Sequence, residues 1–249
     1  MDRAKQLFSR MLDFAMPPHC PVTREEVSSY GVLGPDAWRA VHFIEPPCCA
    51  RCGVPFAADY GDGVECPSCI AEPPDFDRAR AALVYDDASH KMIVGFKHGD
   101  RTELAAMFAF WMARAGAPLL STATRLVPVP LHPRRLLTRR FNQSALLARA
   151  IAKSSGAELM IDGLIRRRAT APQKDLSAEG RKRNVEGAFA SRGNVASKAF
   201  EGARVVLVDD VLTTGATLSS AARTLKRAGA SQVDALVLAR VVKGGLGAI

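Results

Sequence analysis

The stretch that decides the fold runs from Val205 to Leu218 and reads Val-Val-Leu-Val-Asp-Asp-Val-Leu-Thr-Thr-Gly-Ala-Thr-Leu. Its first four residues, Val205 to Val208, form a continuous, largely β-branched apolar run, the pattern of a central parallel strand covered on both faces. Leu218, Ala221, Ala222 and Leu225 then recur at helical spacing, and Lys226, Arg227 and Gly229 close that helix with favourable charge and a terminal glycine. A strand, a tight turn and a helix in this order predict an α/β fold built on a parallel sheet flanked by helices. In such sheets ligands bind beyond the carboxyl ends of the strands, where Asp209 and Asp210 fall.

The turn Thr213-Thr214-Gly215-Ala216-Thr217 is small and rich in hydroxyls, and it precedes a helix N-terminus, so its backbone N–H groups suit a phosphate. It lacks the lysine of a Walker loop and the spacing of G-x-G-x-x-G. Two carboxylates next to a phosphate need something between them. Carboxylates only accept hydrogen bonds, so the partners that reconcile the two are sugar hydroxyls or a divalent cation. A ribose 5-phosphate offers both halves, with its phosphate in the turn and its ring hydroxyls on Asp209 and Asp210. Helix capping by Asp210 is the plainer alternative, and it leaves Asp209 unexplained.

Outward from this stretch the chain keeps alternating. Ala81 to Tyr85 reads as a strand, and Leu104, Phe108, Trp111, Met112 and Ala115 share one face of a helix that stops at Gly116 and Pro118. Leu126-Val127-Pro128-Val129-Pro130-Leu131-His132-Pro133-Arg134-Arg135 is a strand whose alternate prolines favour an abrupt exit into a basic loop. That loop leads into Phe141-Asn142-Gln143 and a helix that closes at Gly156. A strand end, arginines and a helix start form an anion site in outline, although an isolated histidine such as His132 is more often structural.

The composition fits one main domain with a small appendage: 249 residues, 48% hydrophobic, can bury a core of their own. No stretch reaches the roughly 18 uninterrupted apolar residues of a membrane span. The first fifteen or so residues are amphipathic, with Leu7, Phe8, Met11 and Leu12 interrupted by Arg10 and Asp13, unlike a signal peptide. A cytoplasmic protein is expected, with a peripheral place at the inner membrane as an alternative. The net charge of +9 points to anionic partners, and much of it is clustered. Arg134, Arg135, Arg139 and Arg140 form one group, Arg166, Arg167, Arg168 and Lys174 a second, and Arg181, Lys182 and Arg183 a third. Each alone could be a solvated face; three around one site favour a ligand or nucleic acid.

Four of the six cysteines read C-x2-C-x13-C-x2-C, at Cys49, Cys52, Cys66 and Cys69. In a cytosolic chain this spacing suits tetrahedral zinc held by two facing knuckles, with Cys48 a poorer substitute for Cys49 and Cys20 left without a partner. The appendage is expected to occupy residues 1–74, as an N-terminal helix and zinc-binding module, and the α/β domain residues 75–249. The hinge between them is Glu72-Pro73-Pro74-Asp75.

Taken together, the 205–218 stretch resembles the phosphoribosyl-pyrophosphate (PRPP) motif of type I phosphoribosyltransferases. With VPVPLHPRR, FNQSALLA, PQKDLSAEGRKRNVEGAF and the cysteine knuckles, the chain is similar over nearly its whole length to the ComF family of competence proteins. That resemblance implies a phosphoribosyltransferase-type α/β domain behind a small zinc-ribbon module. It assigns Asp209 and Asp210 to ribose hydroxyls, and Thr213, Thr214, Gly215, Ala216 and Thr217 to the 5-phosphate. It places the pyrophosphate near His132, Arg134 and Arg135, with Lys97 as a further basic residue and the stretch from Arg166 to Asn184 as a flap. Mg2+ would ride on the pyrophosphate. Arg139, Arg140, Arg166, Arg167, Arg168, Arg181 and Arg183 would follow single-stranded DNA, alongside a helicase-like partner and an inner-membrane channel. Two alternatives stay open: an active phosphoribosyltransferase with an unidentified acceptor, and a PRPP-sensing regulator. Family members often carry a further cysteine pair or two upstream; here Thr23, Gly34 and Ala37 stand in that region, which argues against a second zinc. The chain ends soon after the strand from Val233 to Leu238, leaving no segment expected to cover an acceptor base.

Overall fold

The computed structural model describes residues 17–29, 31–98, 101–132, 141–168, 180, 183, 185, 187–192 and 198–242. Its frame is a parallel sheet in the spatial order β1-β7-β6-β2-β3. The strands are β1 (Ala79–Val84), β2 (Arg125–Pro128), β3 (Glu158–Leu159), β6 (Arg204–Leu212) and β7 (Gln232–Arg240), while β4 (Leu164–Arg166) and β5 (Phe189–Ser191) make a separate antiparallel pair. In chain order the described helices are α1 (Pro35–Ala40), α2 (Pro67–Ala71), α3 (Asp87–His98), α4 (Leu104–Ala115), α5 (Ala117–Leu120), α6 (Gln143–Ser155) and α7 (Ala216–Arg227).

The apolar run at 205–208 is central, as its composition predicts. β6 pairs in parallel with β2 on one side and β7 on the other, and Val205 to Val208 are at most 1% exposed. Alternate residues serve opposite faces. Val206 and Val208 join Phe108, Met112, Leu147 and Ile151 in a core under α4 and α6, whereas Val205 and Leu207 join Leu218, Ala221, Ala222 and Leu225 under α7. Each fully buried Leu or Phe contributes about 1.5–3 kcal/mol, so the two layers together hold the sheet. Phe108 and Trp111 are core residues, as expected.

One detail differs from the sequence reading. Asp209 and Asp210 stand inside β6 rather than at its end, because Val211 and Leu212 continue the ladder against Ala239 and Arg240. Helix α7 closes as its sequence predicts: Ala228 is the C-cap, and Gly229, with φ of 100°, turns the chain back, its amide donating to the Lys226 carbonyl and the Ala230 amide to the Leu225 carbonyl.

The cysteine-bearing segment covers the open edge of the sheet. Residue 43 bridges Leu83 in antiparallel sense, the Ile44 amide donates to the Ala82 carbonyl, and the Val84 amide donates to the His42 carbonyl. Lower down, the Ala79 amide donates to the Arg51 carbonyl at 2.6 Å. Unpaired edges invite self-association, and here the chain supplies its own cover. Gly53 is required at this contact: its φ is +68°, and a Cβ would lie 2.5 Å from the Ala79 oxygen. Aromatic packing secures the same junction, since Phe43 lies 5.2 Å from both Trp38 on α1 and Trp111 on α4.

Candidate functional site

Three segments meet at the carboxyl-terminal side of the sheet. β6 brings Asp209 and Asp210, the end of α3 brings Lys97, and the start of α6 brings Asn142, Gln143 and Ser144. Asn142 is the N-cap of α6 and accepts the Ser144 amide at 3.1 Å, a typical role for asparagine, while its side-chain amide donates to the Val129 carbonyl just past β2. This capping geometry aims Ser144 at the sheet, where its hydroxyl donates to Asp209 Oδ1 at 2.9 Å. The same carboxylate oxygen accepts the Asp210 amide, also at 2.9 Å. The side-chain amide of Gln143, itself 1% exposed, donates to the Lys97 carbonyl and fixes the end of α3. Lys97 Nζ then reaches Asp210 Oδ2 at 2.9 Å, with both side chains more than four-fifths buried.

Burial first, and the adjacent Asp210 charge second, push the Asp209 carboxyl up to about 7; the Asp210 amide, the Ser144 hydroxyl and Lys97 pull the other way. Asp209 is therefore short of positive charge and hydrogen-bond donors, with Lys97 paired to its neighbour. Sugar hydroxyls are donors of the right kind, and a cation carried on a phosphorylated ligand fits the same deficit.

Beyond Leu212 the chain turns through Thr213 and Thr214 to Gly215, which is the N-cap of α7 with φ +80° and no side-chain cap. Its left-handed backbone suits glycine, and a Cβ there would touch the Phe76 ring at 3.4 Å. Ala216 and Thr217 open the helix, with no acidic residue in its first turn, so an anion meets the positive end of the helix dipole. His132 lies beyond β2, which pairs with β6 up to Pro128 and Val208. Arg134, Arg135, Arg139, Arg140, Lys174 and Arg181 lie outside the described residues. Arg166 is on β4, with its guanidinium 5.4 Å from the centre of the Phe189 ring. The Arg167 amide donates to the Ala188 carbonyl, and Arg168 donates to the Arg183 carbonyl at 3.4 Å, so these basic residues of the expected flap share one hairpin.

The second centre is sulfurous. The Sγ atoms of Cys49, Cys52, Cys66 and Cys69 all lie within 4.8 Å of one another, and Cys52 and Cys66 are 3.7 Å apart. Four thiolates at about 2.3 Å from a zinc ion have edges of about 3.8 Å, so the donor set fits structural zinc. Cys49 Sγ accepts the Cys52 and Cys66 amides at 3.4 and 3.2 Å, the hydrogen bonding of a metal knuckle. The Cys52 sulfhydryl and these amides draw the Cys49 thiol down, and the same sulfur contact, followed by burial, pushes Cys52 up. Cys48 sits outside the cluster, bridged to Pro55.

Sequence reasoning named Lys97, Asp209 and Asp210, and missed Ser144 and Arg240. Arg240, 8% exposed at the end of β7, donates from Nη1 to the Cys52 carbonyl and sets a positive charge beside the thiolates. A helix-starting Asn-Gln-Ser could have flagged Ser144, but only the fold brings it to a residue 65 positions away.

Comparisons with known proteins match two parts of the chain to described families. Residues 146–245 match the Phosphoribosyl transferase domain family, and residues 11–70 match the Double zinc ribbon domain family. DNA utilization protein YhgH of Salmonella typhimurium is 36% identical over 200 residues, 78% of this chain and 84% of the relative. The Escherichia coli K12 protein of the same name is 33% identical over the same shares. Competence protein F of Haemophilus influenzae is 29% identical over 209 residues, covering 78% of this chain and 85% of its own.

Proposed function

The chain belongs to the ComF family, with DNA utilization protein YhgH and competence protein F, and on that premise we propose that it binds PRPP with Mg2+ and acts on single-stranded DNA. The observation that carries the first half is the half-buried Asp209–Asp210 pair, in which Asp209 is short of donors, shortly before a glycine-initiated helix N-terminus. Ribose hydroxyls meet the carboxylates and the 5-phosphate meets residues 213–217. His132, Arg134 and Arg135 would hold the pyrophosphate, and Mg2+ bound to it would supply the positive charge the carboxylates lack. Lys97 pairs with Asp210.

The DNA half rests on the relatives' names and on the basic residues gathered at the β4–β5 hairpin. Arg166, Arg167, Arg168 and Arg183, with Arg139, Arg140 and Arg181, would track a strand's phosphates. A helicase-like partner and a membrane channel fit a role in DNA uptake; no helix among the described residues is long and apolar enough to cross a membrane itself. Calorimetric titration with PRPP and Mg2+ tests the site. Saturable binding lost in Asp210→Asn supports it, and equal binding by wild type and variant refutes it.

A further inference from the structure

The residues around Cys20 repeat the first zinc knuckle contact for contact. Pro17-Pro18-His19-Cys20 corresponds to Pro46-Pro47-Cys48-Cys49, 29 positions later. The Cys20 amide donates to the Glu25 carbonyl at 2.8 Å, as the Cys49 amide does to Val54 at 2.8 Å. The Arg24 amide donates to the Cys20 carbonyl, as that of Gly53 does to Cys49, and the Val27 amide donates to Pro18, as that of Phe56 does to Pro47. Residues 24 and 53 even share a left-handed backbone, with φ of 67° and 68°. His19 bridges Glu26 as Cys48 bridges Pro55.

The second knuckle repeats too. Gly34-Pro35-Asp36-Ala37 corresponds to Cys66-Pro67-Ser68-Cys69; Gly34 (φ −69°, ψ 164°) and Cys66 (φ −71°, ψ 155°) are the N-caps of α1 and α2, and both helices begin with proline. Burial pushes the Cys20 thiol up, but the Thr23 side chain and the backbone amides of Thr23 and Gly34, which stand where Cys52 and Cys66 stand around Cys49, draw it down overall.

We infer that residues 17–40 are a ribbon of the same build as residues 46–71 that binds no metal, so this chain carries one zinc where its family's double ribbon implies two. Three of the four ligand positions hold Thr23, Gly34 and Ala37. The place of the third ligand is occupied, because Glu25 Oε1 lies 1.5 Å from where a Cβ on residue 34 would stand. One thiol and one carboxylate are short of the four donors a structural site takes, and His19 does not complete a set with them: among the described residues, the side chains close enough to share an ion are those of Cys49, Cys52, Cys66 and Cys69.

The metal's structural role has passed to the domain core. Val22 and Leu33 pack on the main apolar layer, Trp38 stacks with Phe43 near Trp111, and Arg101 donates to the Pro21 carbonyl. The second ribbon has only a small cluster of its own, made of its cysteines with Val54, Phe56 and Val242, and so depends on its ion.

Metal analysis of the full chain tests this. Wild type and Cys20→Ser should each hold about one zinc per chain, and Cys66→Ser none. Two zinc ions in wild type, falling to one in Cys20→Ser or Glu25→Gln, would overturn the inference. The variant Thr23→Cys, Glu25→Val, Gly34→Cys, Ala37→Cys restores the second ribbon's residues at all four positions. It should take up two Co2+ ions, doubling the thiolate-to-cobalt absorption of wild type; an unchanged single-site spectrum would overturn the shared build. As a check that does not depend on that variant folding, Arg24→Gly should raise the melting temperature, since glycine is what the repeat carries at this left-handed position. A fall would count against the correspondence.

Discussion

Lys97 and Asp210 form a mostly buried ion pair, 2.9 Å apart, that links the end of α3 to the central strand. Lys97 is held there from behind, by Gln143 on its carbonyl, rather than by its own side-chain packing alone. Lys97→Met should therefore leave a buried carboxylate without its cation and lower stability at neutral pH by about 1–3 kcal/mol. Denaturant unfolding measures the loss, and Lys97→Arg should recover much of it. An unchanged midpoint for Lys97→Met would show that water already screens the pair.

Asp209 gives the stability a pH signature of its own. Its folded-state value of about 7 lies above the ordinary 3.8, so the folded protein holds a proton that the unfolded chain releases. The stabilisation this confers is fully present below pH 3.8 and is lost as the pH rises towards 7. Asp209→Asn needs no proton, so its melting temperature should gain on wild type between pH 4 and pH 7 and keep a constant lead above. Wild type gaining on the variant over that range would mean an ionised Asp209 throughout. PRPP binding should show the opposite trend, strengthening up to about pH 7 as the accepting carboxylate forms.

Ser144 is a positioning residue for that carboxylate. Ser144→Ala removes a hydrogen bond to a charged group, worth about 1.5–3 kcal/mol of stability, and should weaken PRPP binding below about pH 7 by leaving Asp209 easier to protonate. A purely structural role would lower the melting temperature and leave affinity alone. The informative readout is the pH profile of binding: without the hydroxyl's pull, its midpoint should move above that of wild type.

The parts of this architecture that were legible in the sequence are the local ones. Val205 to Val208 announces a central strand by continuous hydrophobicity, the helix stripe from Leu218 to Leu225 follows from spacing, and Cys49, Cys52, Cys66 and Cys69 announce a metal site by their intervals. Long-range pairings were not legible. Nothing in His42-Phe43-Ile44 marks it as cover for the edge of β1, because that role depends on which strand ends the sheet. Strand β6 runs two residues past the carboxylates because β7 is long enough to pair with them. Ser144 meets Asp209, and Arg240 meets Cys52, only through the fold. The repeat of the ribbon is hidden because one cysteine of four survives in its first copy, and its likeness lies in backbone hydrogen bonds.

Zinc removal should be felt beyond the cysteines. The Arg51 carbonyl and residues 42–44 pair with β1, and Arg240 binds the Cys52 carbonyl, so loosening the knuckle frees part of a sheet edge. Chelation, or Cys66→Ser, is expected to lower the melting temperature and to produce concentration-dependent association in light scattering. Metal-free protein that stays monomeric with an unchanged melting temperature would show that the edge cover holds without the ion.

The basic hairpin separates a DNA-handling role from a site that serves pyrophosphate alone. If Arg166, Arg167, Arg168 and Arg183 contact a single strand, affinity should fall with salt at a log–log slope of about −0.7 for each phosphate neutralised. Replacing Arg166, Arg167 and Arg168 with alanine should flatten that slope by up to about two units. Longer oligonucleotides should bind better than mononucleotides, because separated arginines then each meet a phosphate. The geometry adds a complication with a control built in: Arg166 also stacks on Phe189, so its loss can loosen the hairpin as well as remove charge. Arg166→Lys keeps the charge and weakens the stacking. It should preserve the salt slope if charge is what DNA meets, and reduce affinity at all salt concentrations if the hairpin's shape matters more. Fluorescence anisotropy with a labelled single strand, alongside PRPP titration of the same variants, distinguishes the roles. A triple variant that binds DNA with the wild-type slope while losing PRPP would assign these arginines to the small ligand and sink the DNA role of the hairpin.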